Sequence, residues 1–583
     1  MASLLEMESK LRSESLEQAN RHTCKLLLNC YIRELAQERE DDIALNADTL
    51  DYAVAFPVCG VTVFGKLAYY SAAGEHEYES IRRSGANGAN GANGHVEYGE
   101  LVQWIIRELP SEGLGTGQGA PADDNRITDE QARSFAEKVD NSCRNLALFI
   151  ERAAELEVFD YRTSEQSLIY GHPFHPFPKN SRGFSERDVR TFSPELRTSF
   201  RLGYFAVRKD VFRDEWVAED KKVPPHESVQ AHLRHTLGDK SGEYAPLPVH
   251  PWQYKHVLGL SEVQDYVREG KLVPLGGLGP LVYPTTSVRT VYVPDMNCNI
   301  KLSLSMQITN LIRTNSDEQM RRTLDASRYL LRHGCFGPNS PTRIAYETGV
   351  STCRFADEKL TRQFTIVYRP IEFDPASTYV LASLVEAPQP GRPSRLMSML
   401  GGSGQSGQAD RWFARYLELS LLPLVRVAWE KGIHFEAHLQ NTLLTLRDGM
   451  PEAFIIRDLE GVSVESGKAA KGPGTAQEQD LSGPLFYSRE QAWARTSYYF
   501  IVNHLGSLIH AMARDAGVPE THFWTIVRET LRRECERSGN AFAKHLLTAG
   551  TFYAKRNMLS CLKGSGEAPA YVPVGNLIQE TGE

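Results

Sequence analysis

The hydrophobic pattern changes its period twice along the 583-residue chain, and this order limits the fold classes open to it. Residues 4–38 repeat apolar side chains at helical spacing, whereas residues 166–385 alternate short strand-like runs with turns. From residue 410 onward, long apolar segments of helical character dominate. A chain of this length is too long for one hydrophobic core. We therefore predict an α+β protein of about three lobes, at residues 1–165, 166–400 and 401–583.

Individual elements can be predicted within this frame. Residues 51–70 are rich in β-branched and aromatic side chains and predict a hairpin, while residues 410–432 predict one long helix. The repeat GANGANGANG at 85–94 predicts a loop, as do the soft stretches 113–124 and 467–483. Further helices are expected at ARTSYYFIVNHLGSLIHAMARDAG and HFWTIVRETLRRECERSG. The clearest strand candidates are RLGYFAVRKDVF, KLVPLGG, TSVRTVYV, NIKLSLSMQITN and FTIVYRPIEF.

Composition excludes several classes of partner. The formal net charge of -8 argues against nucleic acid, because a phosphate backbone needs a basic surface. The nine cysteines include no CxxC pair, which predicts buried thiols and not a disulfide framework or a zinc site. No run reaches the roughly 18 apolar residues of a membrane span, and the charged N-terminus lacks the apolar region of a signal peptide. We expect a soluble cytoplasmic protein with no membrane partner.

Residues 171–179, GHPFHPFPK, combine two histidines with three prolines and a lysine. Each proline removes a backbone N–H and fixes φ, so this segment is expected to be extended and not helical. It presents His172, His175 and Lys179. A stiff backbone lowers the entropy lost when such a loop binds a ligand, so the stretch is a candidate anion-binding arm.

Three further segments are unusually rich in polar side chains: PTTSVRTV at 284–291, KLSLSMQITNLIRTN at 301–315, and HFEAHLQN at 434–441, which is followed by RDLEG at 457–461. In the second segment polar and apolar residues alternate, so one strand face is expected in the core and the other on a polar surface. The candidate side chains are Ser287, Arg289, Thr290, Lys301, Thr309, Arg313, Glu436, His438, Asn441, Asp458 and Glu460.

The chemistry of these residues favours a nucleotide site. The histidines, lysines and arginines of these segments are cationic or potentially cationic groups in a net-acidic chain, and together with hydroxyl groups they suit a polyphosphate. The carboxylates and the Asn of the C-terminal third are hard oxygen ligands, which suit Mg²⁺. Together they predict a site for a nucleoside triphosphate and Mg²⁺.

Each feature alone has a simpler interpretation. A polar strand face is usually solvated, and a single histidine is more often structural than catalytic. His434 and His438 have the spacing of a zinc pair but lack the glutamate of HExxH, which disfavours zinc. Asn441 and Asp458 resemble the metal-binding pair of protein kinases, yet the Gly-rich loop, the VAIK-like strand and the HRD motif are missing. This similarity supports metal and nucleotide binding, not kinase chemistry.

Six motifs, taken in order, resemble those of the NRPS-independent siderophore synthetases, the aerobactin-synthetase-like IucA/IucC family. They are GHPFHPFPK, PVHPWQ, PTTSVRT, KLSLSMQITNLIRTN, HFEAHLQN and RDLEG. The resemblance covers about residues 166–510, and the C-terminal part also resembles FhuF-like proteins. It implies a three-lobed cupped hand, with a helical thumb, antiparallel-β fingers and a mostly helical palm that carries a kinase-like metal and nucleotide site.

The resemblance also implies a two-step reaction. A carboxylate, often citrate, attacks the α-phosphate of ATP and gives an acyl-adenylate and pyrophosphate, and an amine or alcohol then takes the acyl group. Such an enzyme is an AMP-forming, ATP- and Mg²⁺-dependent ligase of siderophore biosynthesis. Dimers are common in the family, but the sequence determines neither the oligomeric state nor the nucleophile and the exact acyl donor.

The resemblance assigns roles to individual positions. His172, Arg313 and His438 are expected to be catalytic. Expected contacts of ATP are His175, Lys179, Ser287, Arg289, Thr290, Lys301 and Asn441. Expected contacts of the carboxylate substrate are Thr309, Arg313, His438, Arg495 and Tyr498, of which the last two favour free citrate. Expected ligands of Mg²⁺ are Glu436, Asn441 and Asp458.

Two other classes of function remain open from the sequence. One is a kinase-like phosphotransferase, suggested by the Asn–Asp spacing. The other is a non-catalytic iron- or siderophore-binding protein, suggested by the FhuF-like tail. Release of AMP with pyrophosphate, of ADP, or of no product from ATP distinguishes the three.

Overall fold

A computed structural model describes residues 2–84, 94–109, 127–153, 158–401, 406–468, 485–565 and 569–579 of the chain. Of the predicted loops, residues 85–93, all of 113–124 and most of 467–483 lie outside the described residues, and Gly94 begins a short strand. No helix of the described part is long and apolar enough to cross a membrane. The mixed α and β composition predicted from the sequence is confirmed.

The N-terminal part consists of a long helix, a small sheet and further helices. Its elements are α1 Ala2–Leu35, β1 Ile43–Leu45, β2 Asp51–Phe56, β3 Val61–Tyr69, β4 Glu77–Tyr78, β5 Arg82–Ser84, β6 Gly94–His95, α2 Tyr98–Glu108, α3 Asp129–Arg152 and α4 Tyr161–Glu165. The predicted N-terminal helix and the predicted hairpin, β2 with β3, are both present. The antiparallel sheet has the order β1-β2-β3-β5-β6, with β4 paired to β3.

The middle part is dominated by sheet. Its elements are β7 Ser181–Arg182, α5 Glu186–Phe192, β8 Phe200–Arg208, β9 Phe212–Trp216, α6 Glu227–Leu237, β10 Tyr244–Val249, α7 Pro251–Leu258, α8 Ser261–Arg268, β11 Leu272–Pro284, β12 Thr290–Val293, β13 Cys298–Lys301, β14 Leu304–Ile308, β15 Leu311–Arg313, α9 Asp317–His333, β16 Thr342–Ile344, β17 Gly349–Cys353, α10 Glu358–Thr361, β18 Ile366–Pro370, β19 Thr378–Val380, α11 Leu381–Val385 and α12 Arg395–Met399. Eight strands form an antiparallel sheet in the order β10-β8-β11-β12-β13-β18-β17-β9, and a separate sheet has the order β15-β14-β7.

The predicted strand NIKLSLSMQITN is divided between these two sheets, so its prediction as one strand was wrong. β13 ends at Lys301 in the large sheet, and β14 begins at Leu304 in the small one. Alternating burial holds only from Leu304 to Ile308, because residues 301–303 are all buried. The break leaves the ammonium of Lys301 facing carboxylates of the C-terminal part.

The C-terminal part is mostly helical. Its elements are α13 Ser406–Leu419, α14 Leu421–Lys431, β20 Ile433–His434, β21 Thr442–Arg447, β22 Met450–Ile456, β23 Ser463–Glu465, β24 Phe486–Tyr487, α15 Arg489–Thr496, a π-helix Ser497–Leu505, α16 Gly506–Ala516, α17 Glu520–Ser538, α18 Ala541–Thr548, β25 Thr551–Lys555, α19 Asn557–Lys563 and β26 Tyr571–Gly575. The predicted strand pair, β21 with β22, lies in a sheet of order β16-β22-β21-β19. Two smaller sheets have the order β20-β23-β24 and β25-β26.

The long helix predicted at 410–432 is two helices, α13 and α14, which meet at Ser420. Pro423 explains the break, because its ring clashes with the carbonyl of residue 419 and it has no N–H to donate. Proline is tolerated in the first turn of a helix, where the N–H groups have no intrahelical acceptor. A new helix therefore begins just before it.

A π-helix, Ser497–Leu505, joins α15 to α16 within the helix predicted from ARTSYYFIVNHL. Helices of this kind often occur at functional sites, since the widened turn changes which side chains share a face. The segment contains Tyr498 and Asn503, both buried. It therefore turns these two side chains together with the preceding Arg495 toward the interior.

Three large hydrophobic clusters hold the fold together. The N-terminal cluster includes α19 and the rings of Phe174 and Phe177, and the C-terminal cluster starts at Ala326 in α9. The third cluster fills the large sheet and its helices. The clusters contain residues from both sides of positions 165 and 400, so the division of the chain at those positions stays a prediction. All nine cysteines are free, and six of them are buried as predicted.

Candidate active site

The arm at residues 171–179 is held by its own histidines. Nδ1 of His172 accepts a hydrogen bond from the N–H of Phe174, at 3.1 Å, and Nδ1 of His175 accepts one from the N–H of Phe177, at 3.2 Å. Because Nδ1 is the acceptor, the proton of each neutral ring is on Nε2. His172 therefore offers an N–H donor on the side away from the arm, whereas Nε2 of His175 lies 3.8 Å from Sγ of the buried Cys561 in α19.

Both arm histidines are among the groups predicted to be cationic or potentially cationic, and the lowered pKa of each ring favours its neutral form at neutral pH. Desolvation by the surrounding protein lowers the pKa of His172, and the cations Arg33 and Lys555 lower it further. The ring of His172 nevertheless lines the cavity described below. Burial and the nearby Arg313 lower the pKa of His175 to about 3. His172 can therefore stabilise an anion by a hydrogen bond but not by a full charge.

The base of the arm is fixed by two carboxylates. Lys179 donates to Glu195 Oε1, at 2.7 Å, and to the carbonyl of Leu168, at 2.6 Å. The charge of Lys179 is thus already compensated inside the fold. Glu386, which follows α11, accepts the N–H groups of residues 169, 170 and 171 at 2.6, 3.0 and 3.2 Å, and so anchors the chain that leads into the arm.

Arg313 and Arg289 form a pair of cations on the sheet side of the site. Arg289 Nη1 donates to the carbonyl of Arg313, at 3.0 Å, and to Asn315 Oδ1, at 2.6 Å. Arg313 Nη2 donates to Thr309 Oγ1, at 2.8 Å. Burial and the neighbouring Arg289 lower the pKa of Arg313 to about 10. Within the described residues, neither guanidinium has a carboxylate within 4.0 Å, so the pair is suited to an external anion.

Ser287 lies in the tight loop between β11 and β12, and Thr290 is the first residue of β12. Ser287 Oγ accepts the N–H of Thr290 at 3.2 Å, and the intervening Val288 has a left-handed φ of 65°. Such a conformation is rare for a β-branched residue and marks a strained turn. Next to it, Gln440 Nε2 donates to Thr286 Oγ1 at 3.1 Å, which ties this loop to the HFEAHLQN segment.

Asp458 and Lys301 join the large sheet to the C-terminal part. Lys301 Nζ lies 3.1 Å from Asp458 Oδ1 and 3.2 Å from Glu460 Oε2. Burial raises the pKa of Asp458, but Lys301 and Arg369 outweigh it and hold the pKa below the ordinary range, so the carboxylate is ionised. The adjacent Arg457 pairs with the buried Glu165, so Arg457 is not available as a surface partner of Asp458.

Glu436, His438 and Asn441 lie on the loop between β20 and β21. His438 Nε2 is 4.0 Å from Glu436 Oε1, and Asn441 Nδ2 donates to the carbonyl of Glu436 at 3.3 Å. Burial lowers the pKa of His438 although Glu436 raises it, so the ring is a neutral base at pH 7. A side chain on Gly461 would come within 2.5 Å of Glu436 Cβ, which explains the glycine of RDLEG.

Arg495 and Tyr498 belong to an aromatic group beside Glu436. Arg495 Nη2 is 3.4 Å from Glu436 Oε2, and its guanidinium stacks over Tyr499, 5.6 Å from the ring centre. Lys555 of β25 donates to Tyr499 Oη at 2.9 Å and lies over the ring of Tyr498. Lys555 was not predicted, because it is far along the chain and belongs to no motif; only the tertiary fold brings it here.

One cavity of about 1000 Å³ brings the predicted residues together only in part. Its lining includes His172, His175, Lys179, Thr309, Arg313 and His438. The side chains of Lys301, Asp458 and Glu436 do not line this cavity. Asp458 is connected to it through the nearby Arg289, which donates to the carbonyl of Arg313. Glu436 is connected to it through His438. The N-terminal part contributes the opposite wall, which the sequence motifs did not indicate.

The donor set is suited to Mg²⁺ and not to a protein-only metal centre. Within the described ranges, no three His, Cys, Asp or Glu side chains are close enough to hold a metal by themselves. Asp458 is an ionised carboxylate, and Asn441 keeps its Oδ1 free of the bond that its Nδ2 makes. Mg²⁺ commonly takes one or two carboxylates and completes its shell with water and phosphate oxygens. The residues present therefore fit the predicted ion.

Comparison with known proteins gives two family matches and close relatives. The model of the IucA / IucC family matches residues 160–369, and the model of the ferric iron reductase FhuF-like transporter matches residues 410–570. An L-2,3-diaminopropanoate–citrate ligase of Staphylococcus aureus is 31% identical over 536 residues, which cover 89% of this chain and 90% of that protein. A spermidine–citrate ligase of Bacillus anthracis is 25% identical, with 93% and 94% covered.

Solved structures show the same fold. The ATP-bound aerobactin synthetase IucA of a hypervirulent Klebsiella pneumoniae pathotype superposes with a TM-score of 0.82 at 23% identity, and covers 96% of this chain and 100% of that one. The petrobactin biosynthesis protein AsbB of Bacillus anthracis gives a TM-score of 0.78 at 17% identity, with 98% of each chain covered. The family predicted from the order of six motifs is thereby confirmed: the chain belongs to the IucA/IucC family and has a FhuF-like C-terminal region.

Proposed function

We propose that the protein is a siderophore synthetase that activates citrate with ATP and condenses it with an amine. The names of the relatives, which are citrate ligases and siderophore synthases, support the acyl donor and the nucleophile class. The ATP bound to the Klebsiella pneumoniae aerobactin synthetase IucA, which shares this fold, supports ATP as the second substrate. The observation that carries the proposal is the Arg289–Arg313 pair, in which neither guanidinium has a carboxylate within 4.0 Å in the described part of the chain and Arg313 lines the same cavity as His172 and His175.

The first step is the attack of a citrate carboxylate on the α-phosphorus of ATP. The carboxylate oxygen forms the new O–P bond, the bond to the β-phosphate oxygen breaks, and pyrophosphate leaves with the electron pair. Arg313 and the Nε2–H of His172 stabilise the charge that grows on the α-phosphate oxygens, because they are fixed before the reaction begins. Ser287, Thr290 and Lys301 contact the remaining phosphate oxygens.

Mg²⁺ would be held by Asp458, Glu436 and Asn441, and it would neutralise charge on the phosphates of ATP. Lys301 keeps Asp458 ionised and is the nearest cation to it. Lys179 is paired with Glu195, and its proposed role is therefore to fix the arm and to add positive potential, since its ammonium has no free approach to a phosphate.

The second step is the attack of the amine on the acyl carbon. The N–C bond forms, the C–O bond to the phosphate breaks, and AMP leaves with the electron pair. The amine proton passes to Nε2 of His438, a neutral base whose imidazolium form is stabilised by Glu436 at 4.0 Å. Arg495, Tyr498 and Thr309 hold the other carboxylates and the hydroxyl of citrate.

We also infer that the three hydrophobic clusters correspond to the thumb, fingers and palm of a cupped hand around the cavity. Residues 1–165, 166–400 and 401–583 are the proposed lobes. In support, the cavity is lined from all three parts of the chain, by Lys25, Arg313 and His438 among others.

The test is an assay of products. The protein is incubated with ATP, Mg²⁺, citrate and hydroxylamine, which traps an activated acyl group, and AMP, ADP and pyrophosphate are quantified. We expect AMP and pyrophosphate in equal amounts and a citryl hydroxamate. Release of ADP would show a phosphotransferase instead. No nucleotide turnover with citrate or with related carboxylates would contradict the proposal and favour a binding protein.

A further inference from the structure

The loop that carries His438, the proposed base of the second step, is held from outside on both sides of that residue. After it, the guanidinium of Arg457 donates to the carbonyl of Gln440 at 3.1 and 2.8 Å. Before it, the carbonyl of Ala437 shares a hydrogen bond of 2.8 Å with Nδ1 of His504 in the π-helix. His438 is thus fixed between two anchors, and His504 provides the one directly before it.

The two hydrogen bonds of His504 define its tautomer. A carbonyl oxygen can only accept, so the bond to Ala437 requires the ring proton on Nδ1. Nε2 is therefore an acceptor, and the hydroxyl of Tyr416 in α13 donates to it. Burial lowers the pKa of His504 to about 3, so the ring is neutral at neutral pH. The imidazole therefore offers a single donor, and this donor is directed at one backbone oxygen.

This pair of hydrogen bonds lies within a core of apolar side chains. His504 and Tyr416 are both fully buried, and the rings of Phe454 and Phe500 pack around His504, with centroids 6.1 and 4.7 Å from that of the imidazole. An apolar side chain here would avoid the free-energy cost of burying two ring nitrogens. Core packing alone therefore does not require a histidine at this position, whereas a fixed donor to the carbonyl of residue 437 does.

The π-helix brings a second side chain to the same loop. Tyr499 lies five residues before His504, which is the spacing of π-helical hydrogen bonds, so both side chains lie on nearly the same side of the helix. In an α-helix, with 3.6 residues per turn, the two would be about 140° apart. The ring of Tyr499 lies 6.1 Å from the ring of His438, centre to centre. The widened helix thus contacts both the side chain of His438 and the backbone just before it.

The backbone is important because little else fixes the ring of His438. Nε2 is 4.0 Å from Glu436 Oε1, which is too long for a hydrogen bond, and no other described group hydrogen-bonds the ring. The direction of the imidazole is therefore determined by the conformation of residues 437 and 438 and by packing against Tyr499. A base must lie within about 2.6–3.2 Å of the atom whose proton it takes, so a small displacement of this loop would slow proton transfer.

We propose that His504 is a positioning residue for the transfer of the acyl group to the amine. From the π-helix it holds the carbonyl of Ala437 and thereby keeps the ring of His438 where it takes the amine proton. Tyr416 acts one step further away, because it determines which nitrogen of His504 donates. The role in transfer rests on the proposed function, whereas the anchoring of the loop does not.

The test compares two amides at position 504 of the full-length protein. In His504→Asn the amide nitrogen is as far along the side chain as Nδ1, so it can donate to Ala437. In His504→Gln the amide lies where Nε2 was, next to Tyr416, and the carbonyl of Ala437 loses its donor. In hydrogen–deuterium exchange, we expect peptides covering residues 433–442 to exchange about tenfold faster in His504→Gln, the effect of one lost hydrogen bond, and at the wild-type rate in His504→Asn.

Kinetics distinguish positioning from general damage to the fold. Adenylation is measured without an amine, as citrate-dependent exchange of labelled pyrophosphate into ATP, and transfer is measured as formation of citryl hydroxamate from hydroxylamine. Because only the second step uses His438 as a base, His504→Gln should keep the exchange rate and the KM values for citrate and ATP, and lower kcat for hydroxamate formation by about tenfold or more. His504→Asn should recover most of this loss.

Tyr416→Phe is a second variant that guards against misfolding at position 504. It keeps the packing of the ring and removes only the hydroxyl that donates to Nε2 of His504. It should loosen the same peptides and lower transfer without lowering adenylation. Equal deuterium exchange of the loop in His504→Gln and His504→Asn, or a parallel loss of adenylation and transfer in Tyr416→Phe, would overturn the positioning role.

This test and the product assay fail independently. If ATP and citrate give no AMP and pyrophosphate in the wild type, the proposed function is wrong, and the deuterium exchange of residues 433–442 still decides whether His504 anchors the loop. If the wild type forms the hydroxamate and His504→Gln forms it equally fast, the positioning role is wrong and the proposed function stands.

Discussion

Asp458 combines a strained backbone with a buried charge. It follows β22 with a left-handed φ of 68°, a region that costs most residues about 1–2 kcal/mol but that Asp and Asn tolerate best. This conformation directs the carboxylate to Lys301, 3.1 Å away across two sheets. A single residue thus places an ionised oxygen donor where the phosphates of ATP are proposed to bind.

Asp458→Asn is expected to lower pyrophosphate release about 100-fold at low Mg²⁺, because it removes the charge but keeps the shape and the backbone preference. Raising Mg²⁺ should recover part of the rate. Asp448→Asn is the control, since Asp448 also has a left-handed φ, of 50°, in the exposed turn between β21 and β22. If pyrophosphate release depends on Mg²⁺ in the same way in the wild type and in Asp458→Asn, Asp458 is not part of the metal site.

Arg313→Ala is expected to abolish adenylation without unfolding the protein. The loss of a charged partner of a carboxylate or phosphate should cost about 3–5 kcal/mol, or on the order of 100-fold or more in rate. Pyrophosphate release and a thermal melt measure the two effects separately. The neighbour Ile312 is 66% exposed, so Ile312→Ala should change neither. A folded Arg313→Ala variant with near-normal turnover would exclude this role.

The turn between β14 and β15 positions Arg313 through Thr309. Thr309 has a φ of 54°, which is unfavourable for a β-branched residue, and its Oγ1 accepts from Arg313 at 2.8 Å. The hydroxyl, not the methyl group, is expected to matter. Thr309→Ser keeps the acceptor and relieves the strain, so it should retain activity, whereas Thr309→Val should lose at least about tenfold. Equal citrate KM and kcat for the two variants would contradict this.

The C-terminal elements β25 and α19 form one continuous segment that packs against the N-terminal part. Glu34 of α1 accepts the N–H groups of Met558 and Leu559, at 2.7 and 2.9 Å, and so caps α19. The same segment brings Lys555, at the end of β25, to Tyr499 at the proposed citrate end of the site. Burial raises the pKa of Glu34 to about 8, although the two N–H donors lower it.

Glu34→Gln is expected to flatten the dependence of stability on pH. Because the pKa in the folded state, about 8, lies above the ordinary carboxyl value, the folded protein keeps a proton that the unfolded chain loses near pH 4–5. Stability should therefore fall as pH rises from about 5 to about 8, by about 1.4 kcal/mol per pH unit for this one group. Thermal melts at several pH values measure the slope. Glu38→Gln, at a half-exposed partner of Arg556, should keep the wild-type slope.

The local sequence predicted some of these elements correctly and missed others. The two helices at 410–432 follow from Pro423, which a stricter use of proline rules would have found. The π-helix has no comparable signature, because its backbone pattern depends on packing around Tyr498 and Asn503. The motif segments were located correctly, but the neutrality of His172 and His175 depends on the protein that surrounds them. Lys555 and His504 contact the site only through tertiary structure, so no local pattern indicated them.

At the scale of the molecule, the site exists only when all three parts are assembled. The cavity is lined by Lys25 and Glu77 of the N-terminal part, Arg313 of the middle part and His438 of the C-terminal part. The N-terminal core in turn buries side chains of the arm and of α19. Binding of a ligand in the cavity and packing of the N-terminal part are therefore coupled through shared elements.

The fragment 166–583 is expected not to fold by itself. Without residues 1–165, five apolar side chains would lose much of their cover, namely Phe174, Phe177, Met558, Leu559 and Leu562, all of which are buried. At about 1.5–3 kcal/mol each, the loss is on the order of 10 kcal/mol, as large as the stability of a typical domain.

Expression of 166–583 alone and together with 1–165 as a separate chain decides the point. Alone, the fragment should be degraded rapidly by protease and show no cooperative thermal transition, whereas co-expression should restore both resistance and the transition by re-forming the cap of Glu34 on α19. Glu34→Gln in the co-expressed 1–165 chain should weaken this rescue, and Glu38→Gln should not, because the carboxyl group of Glu34 is the one that accepts the buried N–H groups of α19. A fragment 166–583 that melts sharply without its partner chain would instead establish residue 165 as a true domain boundary.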